Sequence, residues 1–175
     1  QNDAAILRCN NFYCPSQVLG RIQHYCSKLA MNIEGLGVKI VEQLIENKLV
    51  KNIDDLYSIK KNEISKLDGL GEKSAKNIID SINDSKETTL SKFVYALGIR
   101  NVGEHTSKLL EKKFKGDMER FKNATEIGLL EVDEIGEIVA RSIVSFWKDE
   151  KNSTMVQNCL NRGVIINRPI DSLSN

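Results

Sequence analysis

The chain is 175 residues long, 41% hydrophobic and 28% charged, the composition of a globular protein of one or two domains and not of a disordered or fibrous one. Its 25 Lys and Arg against 24 Asp and Glu leave a net charge of +1, which excludes a grossly basic nucleic-acid coat. No apolar run approaches the roughly 18 to 20 residues of a membrane span, and few aromatics with no sustained β-branched alternation exclude an all-β fold. Gln1-Asn2-Asp3 has neither the basic nor the apolar region of a secretion signal. With no initiator Met, it reads as the start of a piece of a longer chain.

Cys9 and Cys14 come first, a C-x4-C pair in a polar loop ahead of Pro15. That is the usual size of half a tetrahedral zinc site. Zinc wants two more ligands, and the only local candidates are His24 and Cys26, in a segment that reads as helix from Val18 to Leu29. Three readings stay open: incidental thiols, half of a four-cysteine site whose other pair lies upstream, or a complete site of three cysteines and one histidine. Cys26 and Cys159 read as small buried apolar residues, and nothing supplies the secreted context of a disulfide framework.

A repeat then runs through the chain. Four short segments recur: Ile33-Glu34-Gly35-Leu36-Gly37, Leu67-Asp68-Gly69-Leu70-Gly71, Ile99-Arg100-Asn101-Val102-Gly103 and Val132-Asp133-Glu134-Ile135-Gly136. Their last glycines lie 34, 32 and 33 residues apart, a spacing too regular for chance. Apolar stripes at helical spacing follow each segment, as in Ile40, Val41, Leu44 and Ile45, or Ala75, Ile78, Ile79 and Ile82. Shorter helical stretches precede them, at Gln17–Met31, Asn62–Leu67, Leu90–Leu97 and Thr125–Glu131. Connecting helices are expected at Ile53–Ser58 and Met118–Asn123, with Asp54 and Asp117 as the acidic residues near their starts.

The unit of helix, tight Gly-x-Gly turn and helix is the helix-hairpin-helix motif. Its glycines allow positive φ and close approach of a ligand. Its middle apolar residue (Leu36, Leu70, Val102, Ile135) turns into the core. The last glycine opens a helix whose free N–H groups form an anion site that suits a phosphate. Two such hairpins side by side can hold adjacent phosphates of one strand, without sequence preference. Amide donors need no net positive charge, so +1 is compatible with DNA.

The expected DNA contacts are Gly35, Gly37, Lys39, Gly69, Gly71, Lys73, Ser74, Arg100, Asn101, Gly103, Thr106 and Gly136. Asn101 and Glu134 replace the first glycine of the third and fourth hairpins. Asn tolerates the left-handed region and can donate a hydrogen bond. Asp133 and Glu134 put negative charge beside the phosphate position, which makes the fourth hairpin the weakest. His105 reads as a surface histidine near phosphate, not as a catalytic base. No catalytic residue is assigned. Lys66-Leu67-Asp68-Gly69 matches the K-x-D-G adenylation motif, but it lies in register with the second hairpin and no companion motif attends it. A glycosylase reading of Lys73 lacks the cysteine spacing of an iron–sulfur cluster.

Several strings resemble the C-terminal half of bacterial NAD-dependent DNA ligase. They are Ala30-Met31-Asn32-Ile33-Glu34-Gly35-Leu36-Gly37, Gly71-Glu72-Lys73-Ser74-Ala75-Lys76-Asn77, Ser85-Lys86-Glu87-Thr88-Thr89 and, most specific, Phe93-Val94-Tyr95-Ala96-Leu97-Gly98-Ile99-Arg100-Asn101-Val102-Gly103-Glu104. The resemblance covers roughly Arg8 to Gly163. It implies an all-α array of four helix-hairpin-helix motifs in two paired halves, behind a short partial zinc finger. The implied divisions are 1–28 (partial zinc finger and leading helix), 29–96 (first pair), 97–165 (second pair) and 166–175 (linker toward a BRCT domain).

It further implies that Cys9 and Cys14 are the second ligand pair of a zinc finger, a half site here. NAD and Mg would bind the parent enzyme outside this chain. The partner would be double-stranded DNA, preferably nicked, gripped by a monomer with no membrane in a bacterial cytoplasm, at the nucleoid. The piece would clamp DNA during nick sealing in replication, repair and recombination, and would be inactive alone. The alternative is a free-standing helix-hairpin-helix module of another repair or recombination protein, and a helical scaffold that binds protein is a third reading.

Overall fold

Pro15 opens α1 (Pro15–Cys26) at the first helical position, where a missing N–H costs nothing. A computed structural model of the chain describes residues 14–170, so Cys9 and residues 171–175 of the expected linker lie outside the described residues. α1 buries Val18, Ile22, Tyr25 and Cys26 and ends short of the expected Met31. There the backbone turns extended at Ser27, whose hydroxyl donates to the His24 carbonyl at 2.6 Å. A side chain that bonds its own backbone competes with the helical ladder.

After the first hairpin come α2 (Val38–Glu46), a 3-10 helix (Ile53–Ser58) and α3 (Lys61–Ile64), and after the second comes α4 (Glu72–Asp84). β1 (Glu87–Thr89) leads into α5 (Leu90–Ala96), and the third hairpin into α6 (Glu104–Phe114). Then follow α7 (Met118–Lys122), α8 (Glu126–Leu130), the fourth hairpin, α9 (Glu137–Lys148), α10 (Glu150–Asn161) and β2 (Ile165–Asn167). The alternation of short helix, turn and longer helix is that of the sequence repeat.

One apolar core runs through both halves. Tyr25 of α1 is fully buried and meets Phe93 of α5 edge-on at 6.5 Å. Phe121 of α7 does the same with Trp147 of α9 at 5.6 Å. α10 folds back from the second half to the 3-10 helix of the first. The Asp54 side chain there accepts from Asn158 at 2.9 Å, and Arg162 donates to the Asp54 backbone carbonyl at 2.7 Å.

Asp54 stands in the first turn of that helix, as expected, though it is not the capping residue. Asn52 and Asp55 cap that helix, with Asp55 accepting from the N–H groups of Lys51 and Asn52, while Asp54 is turned inward. Asp117 caps α7 as expected, accepting from the Arg120 N–H at 3.0 Å.

The fold is helical except for one feature. β1 and β2 pair in parallel, Glu87 opposite Ile165 and Thr89 opposite Asn167. Residues 166 and 167, expected to begin a linker, thus lie on the body, and Arg168 donates to Asp117 at 2.9 Å. Among the described residues no helix is long and apolar enough to cross a membrane.

Candidate nucleic-acid interface

In the last three hairpins a turn bond closes the loop: Leu70 N–H to Leu67 at 3.1 Å, Val102 to Ile99 at 3.0 Å, and Ile135 to Val132 at 3.1 Å. Positive φ at the third residue is the mark of a type II or type I′ turn. That residue is Gly69 (φ 78), Asn101 (φ 64) and Glu134 (φ 69), and Gly35 (φ 89) holds the same place in the first hairpin. The first position of each Gly-x-Gly is therefore the left-handed one, and the substitutes at Asn101 and Glu134 keep the conformation. The middle residues Leu36, Val102 and Ile135 are buried, and Leu70 is half-buried.

The last glycines do something else. Gly37, Gly71, Gly103 and Gly136 have φ between −71 and −113 and extended ψ, which any residue adopts. A Cβ at any of them would meet nothing within 4 Å. Each is the N-cap of a helix and makes no side-chain cap. By contrast α5, α7, α8 and α10 are capped by Thr89, Asp117, Thr125 and Asp149. Gly is itself an acceptable N-cap, comparable with Thr. Backbone strain does not require glycine at these four positions, and what a glycine provides beyond the cap is a bare, open surface.

The first helical bonds run from Val41, Ala75, Ser107 and Ala140 back to those glycine carbonyls at 3.0 Å. The N–H groups of residues 38–40, 72–74, 104–106 and 137–139 thus have no helical acceptor. They sit at the positive ends of the helix dipoles.

The hairpins are held in reciprocal pairs. The Glu34 N–H of the first hairpin donates to Ser81 of α4 at 2.8 Å. In return, Gln43 of α2 accepts from the Asp68 N–H of the second hairpin at 2.8 Å and donates to its carbonyl at 3.2 Å. In the second half, Asn101 donates to Ser142 of α9 at 3.1 Å, and His105 of α6 bonds Glu134 of the fourth hairpin at 2.8 Å. Sequence reasoning missed Gln43, Ser81 and Ser142. A signal existed, because Gln43 and Ser142 both stand six residues after a last glycine.

Of the expected contacts, Lys39, Lys73, Ser74 and Arg100 are exposed and make no hydrogen bond or ion pair with other described residues. Thr106 is half-buried in the first turn of α6. The Asn101 amide is engaged by Ser142. His105 is exposed, with its Nε2 bonded to Glu134. First-turn carboxylates, which would repel an anion, are each paired: Glu72 with Lys61 at 2.9 Å, Glu104 with Lys108 at 2.9 Å, and Glu137 with Arg141 at 3.4 Å. The hydrogen bond and charge of Lys61 hold the Glu72 carboxyl below the usual carboxylate range. α2 has no acidic residue in its first turn.

The expected zinc half site lies partly outside the described residues. Of the expected half site only Cys14 lies among them, its Sγ 3.2 Å from the Ser16 hydroxyl, and no group of three His, Cys, Asp or Glu there could hold a metal ion. The reading that adds His24 and Cys26 fails on geometry. His24 donates from Nε2 to the Tyr95 carbonyl at 2.7 Å, and Cys26 is buried, its thiol pushed up to about 12 by desolvation. Lys66-Leu67-Asp68-Gly69 is the second hairpin itself, with Leu67 buried and Asp68 bound on both backbone groups by Gln43.

Residues 27–84 match the family described as SAM-like helix-hairpin-helix tandem, and residues 92–156 match that described as helix-hairpin-helix motif. The fold and the repeated turns thus define a tandem helix-hairpin-helix protein. Over nearly its whole length the chain is homologous to one segment of proteins named DNA ligase, the family its motif strings resemble. It is 44% identical to the one from Geobacter sulfurreducens over 162 residues, 93% of this chain and 24% of that protein. Against that from Francisella philomiragia it is 40% identical over 169 residues, 96% of this chain and 25% of the other. Against that from Geotalea uraniireducens it is 44% identical over 158 residues, 90% and 23% respectively. The chain spans about a quarter of the length of these relatives.

Proposed function

We propose that the chain grips double-stranded DNA through its backbone phosphates, as the DNA-clamping part of an NAD-dependent DNA ligase. The carrying observation is the set of four bare glycine N-caps, each opening a helix with free N–H groups where an added Cβ would meet nothing. A phosphate needs that access and those donors. Lys39 and Lys73 add charge beside the first two hairpins, Arg100 beside the third, and Ser74, Asn101 and Thr106 add polar donors. Residues 29–96 form one grip and 97–165 the other, so a strand is held at two places. Gly35, Gly69 and Asn101 shape the turns, while Gly37, Gly71, Gly103 and Gly136 admit the backbone.

Contacts of this kind are to phosphate and sugar, so binding is independent of sequence. The chain supplies no nucleophile in this reading. Adenylate transfer with NAD and Mg belongs to other parts of the parent enzyme, and this piece aligns the ends of a nick, raising their effective concentration. Zinc at Cys9 and Cys14 takes no part in the step. Homology to ligases over 90% or more of the chain favours this over a free-standing module.

The test is fluorescence anisotropy with a labelled nicked duplex at several salt concentrations. Replacing both Lys39 and Lys73 by Ala is expected to weaken binding about equally on unrelated sequences and to lower the salt slope by about 2. Unchanged affinity in that variant would refute the assignment of those lysines to phosphate.

A further inference from the structure

Three of the four hairpins carry an acid just before the left-handed position (Glu34, Asp68 and Asp133), but only the fourth carries one at that position itself. Glu134 occupies the left-handed position of the fourth hairpin with φ 69, where the first two hairpins have glycine and the third asparagine. L side chains rarely adopt this conformation. Its carboxylate does not fold away from the neighbouring hairpin. It lies 2.8 Å from His105 Nε2, and His105 stands in the first turn of α6, among the N–H groups that open the third hairpin's anion site. Both side chains are about two-thirds exposed, so the contact is on the surface and not part of the core.

The other carboxylates at these helix starts are each neutralised by a lysine or an arginine: Glu72 by Lys61, Glu104 by Lys108, Glu137 by Arg141. Glu134 has a histidine, a residue type that carries a full charge only in acid. Asp133 beside it has counterparts in Glu34 and Asp68 of the first two hairpins, so Glu134 is the charge peculiar to the fourth.

We propose that Glu134 is an acidic brake on the second hairpin pair. Its carboxylate takes up the one basic side chain in the first turn of α6 that faces the fourth hairpin. It also sets a negative charge where a phosphate would approach the third. The second pair then holds DNA less tightly than the first, which has glycine at both equivalent positions. The clamp has a firm grip at 29–96 and a releasable one at 97–165. This rests on the reading that the hairpins bind DNA backbone.

Anisotropy with the same nicked duplex at low salt tests it, using Glu134→Gln, Glu134→Gly and the Lys39→Ala, Lys73→Ala variant as a reference. Glu134→Gln removes charge and keeps shape, and Glu134→Gly also relieves the backbone. Both are expected to bind about fivefold more tightly, as loss of one close repulsive charge in water predicts. The gain should shrink as salt rises. Affinity of Glu134→Gln within twofold of the parent chain, or weaker, would overturn the brake. If the lysine variant weakens binding while Glu134→Gln is silent, only the brake fails. If neither variant alters binding, the DNA reading fails with it.

Discussion

Glycine recurs at two positions in the hairpins for two different reasons, and the sequence pattern alone does not separate them. At Gly35 the reason is internal. Its φ is 89, and an added Cβ would stand 2.9 Å from Ile78 Cγ1 of α4. At Gly71 the backbone is extended and the space is empty. The expectation that positive φ serves the whole Gly-x-Gly thus holds for its first member only; the second keeps an extended backbone, and it is the proposed function that gives its open space a use. Buried thiols at the same scale have a measurable consequence. Burial pushes the Cys26 and Cys159 thiols well above the usual thiol range, up to about 12, and the Tyr57 hydroxyl also to about 12. The folded values exceed the unfolded ones. Stability from these groups is therefore fully present below about pH 9 and falls as pH rises toward 12. Urea midpoints are expected to be equal at pH 7 and 8 and lower at pH 10.5, by up to about 1.4 kcal/mol per pH unit per group. A midpoint that holds at pH 10.5 would contradict the burial of these side chains in the folded state.

At the scale of elements, the helices that follow the hairpins were legible because their apolar stripes keep helical spacing. So were the connecting helices at Ile53–Ser58 and Met118–Lys122. What could not be read was long-range. β1 is only Glu87–Thr89, and its partner Ile165–Asn167 lies at the far end of the chain, so no local alternation announces either strand. Asp54 stands in the first turn, as its place in the sequence suggests, but the partners that claim its side chain, Asn158 and Arg162, are remote in sequence. Arg162 also approaches Asp55, at 3.5 Å, so one guanidinium holds two carboxylates of the 3-10 helix. The Asp54 side chain is only 11% exposed and Arg162 34%, so the pair lies between a surface and a buried bridge. Arg162→Ala is expected to cost about 1–2 kcal/mol in urea unfolding, by leaving Asp54 part-unpaired. A change under about 0.3 kcal/mol would mean that α10 is held to the first half by apolar packing alone.

Across the whole molecule, the two hairpin pairs share one core and present four uncapped helix starts. A near-neutral chain can hold a polyanion in this way because the donors are backbone amides and dipole ends, not lysines in bulk. The repeat made the number and spacing of the candidate sites legible. Their pairing, with Gln43 and Ser81 in the first half and Ser142 and His105 in the second, depends on facing helices and appears only in three dimensions. Phosphate capture depends on the open glycines. Its most direct test is nicked-duplex binding by a Gly71→Val, Gly103→Val variant beside the parent chain, with circular dichroism and thermal melting on both. The extended backbone at both positions accepts valine, and a Cβ there meets no protein atom. The fold should therefore be kept, with the melting temperature lowered only by the poorer N-cap that valine makes, while affinity falls at least about tenfold, on DNA of any sequence, the order expected when close backbone approach to phosphate is blocked. Full affinity in a folded double variant would contradict phosphate capture at these helix starts.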